Sequence, residues 1–101
     1  MRKITEKAIE AFTDNKPFRL QNTEVICEDA GTSLYLHGNK IAKKVGDDIY
    51  ISNGGWGVSR TTQERLNGFL NVHVRTIKGS FFLNKNPWNG EWTRINKEES
   101  I

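Results

Sequence analysis

Nowhere in the chain does an unbroken apolar run approach the roughly 18 residues that a membrane-spanning helix needs. The opening MRKITEKAIEAF is interrupted by Glu6 and Glu10, unlike the apolar stretch of a secretory signal. The expectation is a soluble, intracellular protein with no membrane partner. Cysteine is nearly absent as well. Cys27 stands alone, which excludes an internal disulfide and a cysteine-based zinc site and agrees with a reducing compartment. Its place in the apolar run TEVIC predicts a buried, inert thiol. Histidine is almost as scarce, with only His37 and His73. No spaced carboxylate motif accompanies them, so neither a metal site nor a Cys–His nucleophile is expected. Asp47 and Asp48 read as turn formers rather than as an acid/base pair. Neither GxxxxGK nor GxGxxG phosphate loops occur, so the residues predict no catalytic centre, no metal and no cofactor.

What is present suffices for one small core. Of 101 residues, 36% are hydrophobic, and that length accommodates a single domain over 1–101. Residues 3–13 place Ile4, Ala8, Ala11 and Phe12 at helical spacing, which predicts an amphipathic helix within 1–15. Asp14, Asn15 and Pro17 stop it. The period then falls to two. FRLQ, TEVIC, SLYLH, KIAKKV and DIYIS are short strand-prone runs separated by turn residues. Connections this short leave no room for crossover helices, so the strands run antiparallel. Alternation places Ile41, Val45, Ile49 and Ile51 on one sheet face and Lys44, Tyr50 and Ser52 on the other.

The junction SNGGWGVSRTTQERLNGF opens a second helix, over about 62–70. Thr61 and Glu64 have capping-box spacing, and Leu66, Phe69 and Leu70 form one short apolar stripe. Gly68 inside that helix predicts either a close neighbour or the approach of the helix end. Gly54 and Gly55 allow a turn, and Trp56 covers the edge of the core. Beyond lie a hairpin around Lys78–Ser80, ending a core segment of 18–84, then a last strand over 91–95 and a tail over 96–101. The fold class is α+β, a twisted antiparallel sheet with both helices packed on one face.

Charge is unevenly spread. Before the junction, positive and negative residues balance; after it, Arg60, Arg65, Arg75, Lys78, Lys85, Arg94 and Lys97 oppose only Glu64 and Glu91 before the Glu98–Glu99 tail. Such asymmetry points toward an anionic partner. At the helix entrance Arg60 and Arg65 are candidates for an anion site, although the capping signals favour a structural reading. His73 and Arg75 alternate with Val72 and Val74 and so project together, with Lys78, Lys85 and Arg94 nearby in sequence. Trp88, Trp92 and Tyr50 are aromatic anchors of the kind that dominate protein interfaces.

The features LHGN-IA, GGW and TT--RLN, spread over about residues 32–84, resemble a family of short uncharacterised proteins from tailed bacteriophages. That resemblance implies a phage accessory protein in the host bacterial cytoplasm and supplies no mechanism. Two binding functions follow. The first is a protein-binding modulator of a host or viral factor, through Trp88, Trp92, Tyr50, Arg75, Lys78 and Arg94. The alternative is a nucleic-acid or nucleoprotein-binding module using the basic carboxy-terminal half. Short edge strands are also compatible with a homodimer.

Overall fold

A computed structural model describes residues 3–29, 31–46, 48–54, 60–69 and 72–95. Trp56, Gly55, Asp47 and the 96–101 tail lie outside the described residues. Helix α1 (Lys3–Thr13) turns Thr5, Ala8 and Phe12 inward. Its end is a Schellman motif: Lys16 N–H donates to Ala11 O at 2.8 Å and Asn15 N–H to Phe12 O at 3.3 Å, with Asn15 left-handed at φ 56°. Asparagine does here what glycine usually does, because its short polar side chain tolerates that conformation.

Five strands follow as an antiparallel meander: β1 (Phe18–Leu20), β2 (Thr23–Glu28), β3 (Gly31–Leu36), β4 (Asn39–Val45) and β5 (Asp48–Ile51). The chain then leaves this sheet to form α2 (Arg60–Leu66) and a separate three-stranded sheet of β6 (Val74–Ile77), β7 (Ser80–Leu83) and β8 (Asn86–Pro87). It returns as β9 (Thr93–Ile95), which pairs with β5 as the sixth strand of the large sheet. The α+β class and the antiparallel order are as expected, but the carboxy-terminal strands are divided between two sheets. One reason is local. The Asn67 side chain, just past α2, accepts from the Val74 amide at 2.6 Å and donates to the Val74 carbonyl at 2.9 Å, occupying backbone groups at the start of β6. The small sheet joins the large one through side chains: Val72, Val74 and Phe81 complete a core with Phe12, Val25, Leu34, Leu36, Ile51, Leu66 and Phe69.

A bulge overturns the expected alternation in β4. Leu34 pairs with Ala42 while Tyr35 pairs with Lys40, leaving Ile41 as the extra residue. Two residues facing one both turn inward, and Ile41 and Ala42 are both fully buried. The phase beyond them is inverted. Val45, expected in the core, is 49% exposed. Lys44, expected on the wet face, instead runs beneath α1, its Nζ 3.0 Å from Thr13 O and 5.3 Å from the centre of the Phe12 ring. Cys27 also departs from expectation. It is exposed, near the end of β2 where the burial pattern gives way to solvent.

The second helix is shorter and begins earlier than its capping signals imply. Thr61 lies inside α2 rather than before it, and Glu64 Oε1 accepts from Thr5 Oγ1 and from Arg65 Nη1. Gly68 stands just past the helix, where an added Cβ would lie 2.7 Å from Thr5 Cγ2 and 2.8 Å from Ile9 Cγ1. Its role is therefore close packing on α1. Arg65, a candidate for an anion site at the helix entrance beside the favoured structural reading, is interior: it is 2% exposed, and it is the largest of the fully buried side chains among the described residues. Nε donates to Thr23 Oγ1 at 3.0 Å, Nη1 to Thr5 Oγ1 at 2.9 Å and to Glu64, and Nη2 to Asn22 Oδ1 at 3.4 Å. A seven-residue helix cannot hold itself; this guanidinium ties it to α1, to β2 and to the turn before β2.

Two stability predictions follow from these contacts. Arg65→Met should cost about 3 kcal/mol in urea unfolding, because Glu64 loses its cation and the Thr5 and Thr23 hydroxyls each lose a donor. Adding Glu64→Gln should recover part of that loss in a double-mutant cycle. Gly31, at φ 145°, has Lys44 O 1.8 Å from where a Cβ would stand. Gly31→Ala should therefore destabilise by at least about 3 kcal/mol in the same assay.

Candidate functional site

Both helices contact the same face of the large sheet, α1 through Lys44 and Phe12, α2 through Arg65 and Thr23. Three of the sequence-predicted residues, Tyr50, Trp92 and Arg94, converge on the opposite face. Cross-strand pairing aligns Ile26, Ser33, Lys43, Tyr50 and Arg94 in one row across β2, β3, β4, β5 and β9. A second row holds Arg19, Glu24, Tyr35 and Lys40. Directly opposed side chains in adjacent strands lie within contact distance. The rows thus form one continuous surface of aromatic and charged groups.

Lys43 sits at its centre. Its Nζ lies 4.5 Å from the centre of the Trp92 ring and 5.7 Å from that of Tyr50, so the cation bridges two aromatic faces. Lys40 makes the corresponding contact with Tyr35 at 5.6 Å. Trp92, immediately before β9, remains 42% exposed. Carboxylates are interspersed: Arg94 lies 3.7 Å from Asp48, and Lys40 lies 3.9 Å from Glu28. These pairs are half-exposed and contribute little stability. Their effect is to make the face mixed in charge, with Lys43 as a cation that no described carboxylate pairs.

The structure places the expected residues in four different parts of the fold. Tyr50, Trp92 and Arg94 come together on the outer face, joined by Lys43, Tyr35 and Lys40, which sequence reasoning did not single out. Lys43 escaped notice because its direction depends on the bulge at Ile41, and nothing in KIAKKV announces it. Trp88 belongs to the architecture: its ring packs 5.9 Å from Phe81 and Nε1–H donates to Thr93 Oγ1 at 2.8 Å, joining the small sheet to β9. A shallow cleft of about 530 Å³ opens beside it, between Ser80, Phe81, Pro87 and Asn89. Arg75 and Lys78 lie on the small sheet, Arg75 on the exposed side of β6 and Lys78 at the β6–β7 turn. Arg60 is exposed at the start of α2, while Arg65 is interior. The two do not form a shared site. Among the described residues no three His, Cys, Asp or Glu gather as metal ligands, and no helix is long and apolar enough to cross a membrane.

Fold and surface define a small α+β domain with one sheet face that no described element covers and that is both aromatic and charged. The chain belongs to the Kyanoviridae Gp96 protein family, which it matches over residues 1–99, and it is accordingly a phage protein. It is also similar to Major royal jelly protein 9 of Apis mellifera, 28% identical over 73 residues that cover 69% of this chain. The chain spans only 17% of the length of that protein. No solved structure matches.

The two carboxy-terminal tryptophans should separate cleanly by mutation. Trp88→Ala removes a ring packed on the core and a hydrogen bond, and should cost about 2–4 kcal/mol in chemical denaturation. Trp92→Ala, which gives up a partly exposed ring and its contact with Lys43, should cost less, about 1 kcal/mol.

Proposed function

We propose that this phage protein acts without catalysis, as a binding module that recognises a host or viral protein in the host cytoplasm through the outer face of its large sheet. The observation that carries this reading is the cluster of Trp92, Tyr50 and Lys43, an exposed tryptophan and a half-buried tyrosine held around a cation. Tyrosine, tryptophan and arginine are the residues whose burial dominates protein association, and Arg94 borders the cluster. Mixed charge favours a protein over a nucleic acid on this face. Asp48 and Glu28 already sit beside Arg94 and Lys40, whereas a phosphate backbone selects uninterrupted positive potential. The complementary partner presents an apolar groove for Trp92 with a carboxylate within reach of Lys43.

Affinity capture from phage-infected bacteria, with nuclease treatment and with Trp92→Ala in parallel, tests the reading. A specific protein should be retained after nuclease and lost with the variant. Purified, it should bind the parent at least about 2 kcal/mol, roughly thirtyfold, more tightly than the variant. Lys43→Ala should mainly slow association and weaken its salt dependence. Retention only through nucleic acid, or equal binding by Trp92→Ala, would overturn the proposal. Recovery of a second copy of the chain itself would identify the surface as a homodimer interface.

A further inference from the structure

The turn between β7 and β8 places a lysine where a turn of this kind normally takes glycine. Asn84 and Lys85 have φ of 50° and 75°, both left-handed, and Leu83 pairs with Asn86 across them. Such two-residue hairpin turns favour Asn-Gly. The neighbouring hairpin follows that rule, with Lys78 at 51° and Gly79 at 82°. A lysine at the second position is strained relative to glycine. What it gains is placement. Lys85 lines a cleft of about 290 Å³ together with His73, Arg75 and Asn84.

The other walls are set by the small sheet. Val72 and Val74 turn into the core, which leaves His73 and Arg75 exposed side by side on the opposite side of the chain. Asn84 fixes the turn against them: its Oδ1 accepts from the His73 amide at 2.8 Å, and its own amide donates to His73 O at 2.8 Å. Arg75 faces Phe82 across the β6–β7 ladder, so a half-buried aromatic ring shares the arginine's side of the sheet. Lys40, Arg65 and Arg94 each have a carboxylate within ion-pair distance; no described carboxylate pairs with Arg75 or Lys85. Unlike the outer face of the large sheet, this cleft is lined by no carboxylate among the described residues.

We propose that this cleft binds the phosphate of a nucleotide unit. Arg75 supplies a planar fork of donors suited to phosphate oxygens, Lys85 a point charge from the opposite wall and His73 a further ring donor. Phe82 offers an aromatic surface on which the attached base stacks. The same chemistry is presented by a single nucleic-acid strand and by a free nucleotide. The site is independent of the protein-binding face, and either can fail without the other.

Nitrogen-15-labelled protein titrated at low ionic strength with pyrophosphate, with adenosine monophosphate and with a single-stranded oligothymidylate tests it. The amide signals of His73, Arg75, Asn84 and Lys85 should shift saturably. Arg75→Ala and Lys85→Gly should each weaken binding by about tenfold or more, the expected effect of losing one charge-assisted hydrogen bond. Lys85→Gly should melt no lower than the parent protein, because it relaxes the turn. Lys43→Ala, on the other face, should bind as the parent does. Preference for the oligonucleotide, with an affinity that falls steeply with salt, identifies a strand as the source; equal or tighter binding of adenosine monophosphate identifies a free nucleotide. Absence of saturation with all three probes, unchanged binding by Arg75→Ala and Lys85→Gly, or an equal loss with Lys43→Ala would overturn the proposal.

Discussion

A buried guanidinium holds this domain together. Arg65 is enclosed where α1, α2 and β2 meet, and it satisfies itself on Thr5, Thr23, Asn22 and Glu64. Charge in an interior is costly unless paired and hydrogen-bonded. Here the hydroxyl of Thr5 accepts from the arginine and donates to Glu64, and that of Thr23 accepts from the arginine and donates to Asn22. The network is consistent only if all three elements are in place, so it specifies their relative position as well as contributing stability. Removing Arg65 leaves the Thr5–Glu64 and Thr23–Asn22 pairs with nothing to join them.

That arrangement frees the far side of the sheet. With both helices committed to one face, the other is left for Lys43, Tyr50, Arg94 and Trp92. A single extra residue at Ile41 sets which side chains arrive there. Without the bulge, Val45 would point inward and Lys43 would lie under α1; with it, Lys44 goes beneath the helix and Lys43 meets the aromatic pair. Bulges commonly redirect a side chain in this way where a sheet serves a function.

The two exposed surfaces differ in chemistry. The outer face of the large sheet mixes cations with Glu28 and Asp48, whereas the small sheet gathers His73, Arg75 and Lys85 without a carboxylate. The net positive charge of the second half of the chain is thus less uniform in space than along the sequence. Arg65 has been withdrawn into the core, Arg94 borders Asp48, Arg75 and Lys85 share one cleft, and Arg60 and Lys78 stand apart from it. Membership of a phage protein family sets the biological context, and the surfaces supply the chemistry that a partner would have to match.

Local pattern alone determined much of the fold. The apolar spacing of 3–13, the stop at Asp14–Pro17, the antiparallel meander and the Lys78–Gly79 hairpin are all matters of periodicity and turn preference, which act between residues close in sequence. The joint projection of His73 and Arg75 was legible for the same reason. Tertiary structure decided what depends on distant partners: that β9 returns to β5 across more than forty residues, that Trp88 is architecture while Trp92 is surface, and that an arginine in the last turn of α2 is a core residue. Nothing local marks Arg65 as buried, because, apart from its neighbour Glu64, the groups that satisfy its guanidinium come from residues 5, 22 and 23. The bulge escaped for a related reason, since an unpaired residue is defined only by the strand against which it fails to pair.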